Sequence, residues 1–98
     1  MAGRVVWTES AWQELDCAAS YIARDSPHYA AALIEDARAA ARSLRRFPRR
    51  GRVVRELNDE FVRELSVKSY RLIYEIRGRD VAVLAFIHSA RLLPAGIV

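Results

Sequence analysis

Apolar residues dominate the chain from Phe61 to Arg91, where the main polar interruptions are Arg63, Glu64, Arg71, Glu75, His88 and Arg91. The dipeptides Lys68-Ser69 and Gly78-Arg79 divide this stretch into three strands, near 61–67, 70–77 and 80–88. The glycine of the second break suits a hairpin turn. Strands that follow one another in sequence pair most readily in space, so the three are expected to form a meander. Upstream the period changes. Trp12, Leu15, Ala19 and Ile22 recur at helical spacing between Ala11 and Arg24, with Thr8 or Ser10 placed to cap and Ser10-x-x-Gln13 fitting a capping box. Asp25-Ser26-Pro27 ends that helix and opens another, with Ser26 as cap and Pro27 in its first turn. Ala30, Leu33, Ile34, Ala37, Ala41 and Leu44 mark its apolar face, and Phe47-Pro48 ends it.

Two helices so close in sequence fold back on each other, giving a helical hairpin over about 9–47. Arg4–Trp7 is a short β-like run ahead of the hairpin. In the connector, Pro48–Gly51 is loop-like, Val53–Leu57 is briefly extended, and Asn58-Asp59 signals a turn. The expected order is β-α-α-β-β-β: an α+β domain spanning 1–98, with the hairpin packed on one face of a small, mostly antiparallel sheet whose meander occupies about 61–88.

Composition narrows the function. A chain of 98 residues supports one domain. No apolar run approaches the length of a membrane span, and residues 1–15 lack the apolar core of a secretory signal, so a cytoplasmic protein is expected. The single Cys17 cannot form an internal disulfide, and its apolar helical setting predicts a buried structural thiol. No metal and no cofactor is expected. The net charge is +4, and Lys68 is the only lysine among 16 basic residues. Arg45, Arg46, Arg49, Arg50, Arg52 and Arg55 crowd into one short segment, a patch that attracts polyanions, whether nucleic acid or an acidic protein segment.

The Arg63-Glu64-Leu65 strand, the Tyr70-Arg71-Leu72-Ile73-Tyr74 strand and the Ile87-His88-Ser89-Ala90-Arg91 ending resemble the closing sheet of the ParE/RelE superfamily of bacterial toxins. The likeness covers almost the whole chain and is closer to the ParE branch. It implies a RelE/ParE-like fold, a toxin of a type II toxin–antitoxin module, and a cognate antitoxin with a DNA-binding N-terminal domain and an acidic-apolar tail. One branch cleaves messenger RNA on the ribosome; the other poisons DNA gyrase. RelE-like cleavage uses lysines on the first meander strand, arginines on the next two and a tyrosine or histidine near the C-terminus. Arg71 and Arg91 match the two arginines, and His88 is the one candidate acid or base, but Arg63, Glu64 and Leu65 stand where the lysines belong. Arginine is permanently protonated and a poor general base. The resemblance therefore implies a gyrase-poisoning toxin with no catalytic residues of its own, and a RelE-like endoribonuclease using Arg71, Arg91 and His88 as the alternative.

Antitoxin or target binding is expected at Arg45, Arg46, Arg49, Arg50, Arg52, Arg55, Arg63, Arg71 and Arg91. For the Arg45–Arg55 cluster a merely solvated face is the less persuasive reading, since six like charges so close repel one another without partners. Arg71, Arg91 and His88 each have a plainer one. Arg71 and Arg91 can pair across the sheet with Glu64, Glu75 or Asp80, and His88 can be a structural residue at a strand end. Tyr70 and Tyr74 share a strand face with Leu72 and Ile76 and read as core aromatics. The apolar tail Leu92–Val98 either caps the core or is displayed to a partner.

Overall fold

Thr8 fixes the junction between the first strand and the first helix. Its hydroxyl accepts a hydrogen bond from the Ala11 amide at 3.2 Å, capping the helix, and donates to the Val83 carbonyl at 2.9 Å, tying that cap to the sheet. The Ser10–Gln13 box is not formed; the Gln13 amide reaches Glu9 Oε1 instead, at 3.3 Å. This computed structural model describes residues 3–91 and Leu93. Within them the order is β1 (Val5–Trp7), α1 (Glu9–Ala23), α2 (Pro27–Ser43), β2 (Arg52–Val53), β3 (Val62–Val67), β4 (Tyr70–Arg77) and β5 (Asp80–His88). Ser26 caps α2, its hydroxyl accepting from the Tyr29 amide at 3.1 Å, with Pro27 in the first turn.

The strands form one five-stranded sheet in the order β1-β5-β4-β3-β2. All neighbours are antiparallel except β1 and β5, which run parallel. The meander pairs as its turns require, with Lys68 and Gly78 both at positive φ. The extended stretch expected over Val53–Leu57 contracts to Arg52–Val53, because Val54 to Asn58 turns back on itself, the Leu57 and Asn58 amides both reaching the Val54 carbonyl.

Both faces of the sheet are covered. On one, Ala11 and Leu15 of α1 and Leu33, Ala37 and Ala41 of α2 pack on Leu72, Tyr74, Val81, Val83 and Phe86. Alanines at the helix contacts let the hairpin approach the strands closely. On the other, Val54, Val62, Ile73, Ala85 and Ile87 form a second cluster, with Leu57 and Leu93 against it. The hairpin packs on one face as expected, and the opposite face carries a second core back to back with the first. Leu33 and Ile73 lie on opposite sides of the sheet.

A register shift in the β4–β5 pair accommodates this. Ile73 faces Ala85 but Tyr74 faces Val83, so Leu84 is an extra residue on β5. The bulge changes the phase of β5, so Val81, Val83 and Phe86 all face the helices while Ala85 and Ile87 face away.

Two side chains fall outside the expected core. Cys17 is exposed, because the buried stripe of α1 runs through Ala11, Leu15 and Ala19 at four-residue intervals and position 17 lies on the far side. Trp12 is also exposed, and its ring meets Trp7 edge-on at 5.5 Å instead of entering the core. Of the tail Leu92–Val98, Leu93 alone belongs to the described residues.

Leu33 and Ile73 are each wholly buried. Replacing either by alanine is expected to cost about 2–5 kcal/mol, a large share of the stability of a small domain. Denaturant titration of each variant checks this, and an unchanged midpoint at either position would dissolve the corresponding core.

Candidate functional site

Arg71 is the centre of the polar structure on the sheet face away from the helices. Strand alternation turns it to that side, beside Ile73, while Tyr70 and Leu72 turn towards the helices. Its buried guanidinium makes two forked contacts. Nε and Nη2 donate to Glu64 Oε1 and Oε2 at 3.2 and 2.7 Å, and Nη1 and Nη2 donate to Glu56 Oε2 and Oε1 at 3.0 Å each. The remaining Nη1 donor points at the Arg91 carbonyl, 3.5 Å away. Arg52 adds a further contact to Glu64 Oε1 at 3.1 Å. All five donors of the Arg71 fork are therefore directed at protein oxygens.

The charges tune one another. Burial alone would raise the Glu64 carboxyl, but hydrogen bonds from Arg71 and Arg52 outweigh it and hold the group below its ordinary value. The Arg71 hydrogen bond likewise lowers Glu56. Glu64 and then Glu56 in turn hold the guanidinium more firmly protonated. Of the partners expected for Arg71, Glu64 is found, while Glu75 pairs with Arg77 at 2.6 Å and Asp80 accepts from the Arg4 amide at 3.0 Å. Glu56 was not foreseen, since nothing in the sequence lays its loop over the sheet.

His88 lies on the opposite face. It pairs in register with Tyr70, and its ring meets the Tyr70 ring edge-on at 5.5 Å. Its Nδ1 accepts from the Ala90 amide at 3.2 Å. Together with Tyr21, Tyr70, Phe86 and Arg91 it lines a groove of about 550 Å³ between α1 and the end of the sheet. Arg71, Arg91 and His88 are thus not gathered round one point.

The clustered arginines are all exposed, yet they do not form one patch. Arg46 lies over the Phe47 ring at 5.7 Å and Arg49 over the Phe61 ring at 5.5 Å, while Arg50 donates to Ser43 Oγ at 2.6 Å. Arg63 serves the backbone, donating to the carbonyls of Glu60 and Gly51 at 2.8 and 2.9 Å. Arg55 is exposed in the loop beside Glu56.

Arg45 turns the other way. With Arg38 and Arg42 of α2 it forms a row at i, i+4 and i+7 that runs just past the end of the helix, facing Arg4 across a groove of about 670 Å³ lined by Trp7 and Trp12. Among the described residues none of these four arginines has a carboxylate within salt-bridge distance. β1 forms the rim. The Arg4 carbonyl and Thr8 amide bond to Val81 and Val83 of β5, so the backbone groups of Val5 and Trp7 point to the open sheet edge. Arg38 and Arg42 were missed in the sequence, although their spacing from Arg45 was the available signal; Arg4 carried none.

The Arg71 cluster has a pH signature. A carboxyl whose folded pKa is depressed stabilises the fold above its unfolded value, and that stability disappears as the pH falls through the folded value. The contribution of Glu64 and Glu56 should be intact above their ordinary value of 4.5 and lost progressively below it. Glu64→Gln should lower stability at neutral pH and flatten the acid limb of a plot of unfolding midpoint against pH. A variant with the wild-type acid limb would remove Glu64 from this account.

Comparison with known proteins agrees with this architecture. A solved structure described as the chromosomal ParDE TA system from P. aeruginosa superposes with a TM-score of 0.70 at 20% identity, covering 90% of this chain and 96% of that one. At that identity the likeness speaks for the fold. No curated protein matches the chain. The family model of the ParE toxin of the type II toxin–antitoxin system, parDE, matches residues 5–93. With nearly the whole chain covered, and with the strand order and helical hairpin in place, the protein belongs to the ParE toxin family of type II toxin–antitoxin systems.

Proposed function

We propose that this protein arrests growth in the cytoplasm by poisoning DNA gyrase, and that a cognate antitoxin neutralises it. The observation that carries the choice of target is the state of Arg71. Cleavage of RNA by 2′-hydroxyl attack needs a free cation at the phosphorane, and a base and an acid on either side of it. Arg71 is buried with its donors engaged by Glu64 and Glu56, and His88 faces the other side of the sheet. Such an arrangement favours a protein that acts through its surface, leaving the damage to the enzyme it binds.

The antitoxin is read from the groove beside β1. An open strand edge, a tryptophan lining and four arginines without carboxylate partners among the described residues suit an acidic-apolar segment that folds as it binds. The partner would carry that segment behind a DNA-binding domain of ribbon-helix-helix or similar type.

Two measurements test this reading. Purified protein should inhibit gyrase supercoiling and leave messenger RNA uncut in the ribosomal A site, and His88→Ala should inhibit growth as well as the wild type does. Cutting of RNA that falls on the order of a hundredfold in a folded His88→Ala protein would assign the ribonuclease instead. For the antitoxin, Arg38→Gln with Arg42→Gln should slow association at low salt and weaken its salt dependence, because such charges act chiefly on encounter. An association rate indifferent to both changes would move the antitoxin elsewhere.

A further inference from the structure

The loop after α2 is held more firmly than a surface connection requires. The Tyr74 hydroxyl, wholly buried in the sheet, accepts from the Gly51 amide at 2.9 Å and donates to the Pro48 carbonyl at 2.7 Å. Arg63 donates to the Gly51 carbonyl from the neighbouring strand. The approach is close enough that a Cβ at Gly51 would lie 2.6 Å from both the Tyr74 hydroxyl and the Glu64 carbonyl oxygen, so only glycine fits. Within the loop the Arg50 amide closes a turn on the Phe47 carbonyl at 3.2 Å.

This rigid base presents an unusual surface. Phe47 is 58% and Phe61 44% exposed, with the Arg46 and Arg49 guanidiniums over their rings. Arg50 stands in the same turn. Two carboxylates border it: Asp59 accepts from the Phe61 amide at 2.9 Å, and Glu60 lies 3.9 Å from Arg49 with both side chains more than half exposed. A pair so long and so wet is worth little and is readily exchanged for another anion.

We propose that the Phe47–Phe61 face is a binding surface for single-stranded nucleic acid, with unpaired bases stacking on the two rings and phosphates meeting Arg46, Arg49 and Arg50. Rings and guanidiniums in alternation suit a nucleotide, which offers a flat base and an anion in each repeat. A peptide matches this only where acidic and apolar side chains fall at the right spacing, whereas a nucleic acid strand repeats base and phosphate at every step. In a duplex the bases are already stacked on one another and cannot reach the rings. The loop is preorganised, which lowers the ordering cost of binding. This surface is separate from the arginine row of α2, so the two basic regions have different partners: an acidic protein segment in the groove, a nucleic acid strand at the loop. It goes beyond gyrase poisoning and stands or falls without it.

Fluorescence anisotropy with a labelled oligo-dT or oligo-U strand and a blunt duplex of equal length tests the assignment on the full chain. Both single strands should bind more tightly than the duplex. Affinity should fall with salt at a slope of about −2 in log K against log salt, as engagement of three arginines with a single strand implies. Phe47→Ala with Phe61→Ala should weaken strand binding roughly tenfold or more, since stacking on an aromatic contributes about that per base. Arg46→Gln with Arg49→Gln should flatten the salt slope, whereas Arg38→Gln with Arg42→Gln should leave affinity unchanged. Melting temperatures of all variants, whose changes lie on the surface, establish that each is folded. No strand binding at low salt, equal binding of duplex, indifference to the two phenylalanines, or an equal loss from the α2 arginines would each overturn the proposal.

Discussion

A guanidinium withdrawn from water is tolerated only when each of its donors finds an oxygen, and Arg71 meets that condition with residues from three separate parts of the chain. Glu64 lies on the paired strand, Glu56 on the loop before it, and the Arg91 carbonyl at the point where the chain leaves the sheet. Removing Glu64, the buried partner, would leave the guanidinium with only the partly exposed Glu56, a change that approaches the roughly 3–5 kcal/mol of a broken buried pair. Replacing the whole cluster by apolar side chains of equal volume is often neutral or better. What the cluster contributes beyond what apolar side chains would is position. It fixes the loop bearing Val54 and Leu57 over the second core, on the same side as Leu93.

That arrangement also sets what Arg71 can offer a ligand. Glu64 on the paired strand takes two of its donors and makes the cation half of an internal salt bridge. Glu56 and Arg52 complete a network in which charge is balanced locally. Exposed cations line the groove beside β1 and the loop after α2.

Local chemistry made most of the elements legible in the sequence. Thr8 and Ser26 cap their helices through side-chain oxygens, and Gly78 turns the last hairpin, each by a property of a single residue. What escaped reading depended on phase or distance. In Val81–Ile87 every residue is apolar, so the alternation that would reveal the Leu84 bulge is absent, and with it the division of the sheet into two cored faces. Cys17 sits among alanines that resemble core until the helical stripe is drawn through Ala11, Leu15 and Ala19. Glu56 joins Arg71 across a fold-dependent distance, 15 residues apart in sequence, which no local pattern encodes.

The arginines show best how little a count of charge says about its use. Clustering in sequence suggested one patch, but α2 ends just before the cluster and the chain turns there, sending Arg45 to one side and Arg46, Arg49 and Arg50 to another. Helical spacing then recruits Arg38 and Arg42 to Arg45 from outside the cluster, and parallel pairing of β1 brings in Arg4 from the far end of the chain. Two basic surfaces emerge where sequence proximity implied one. They differ in what accompanies the charge, an open strand edge in the first and exposed phenyl rings in the second. Since guanidinium alone does not distinguish carboxylate from phosphate, it is these companions that separate the partners each surface can take.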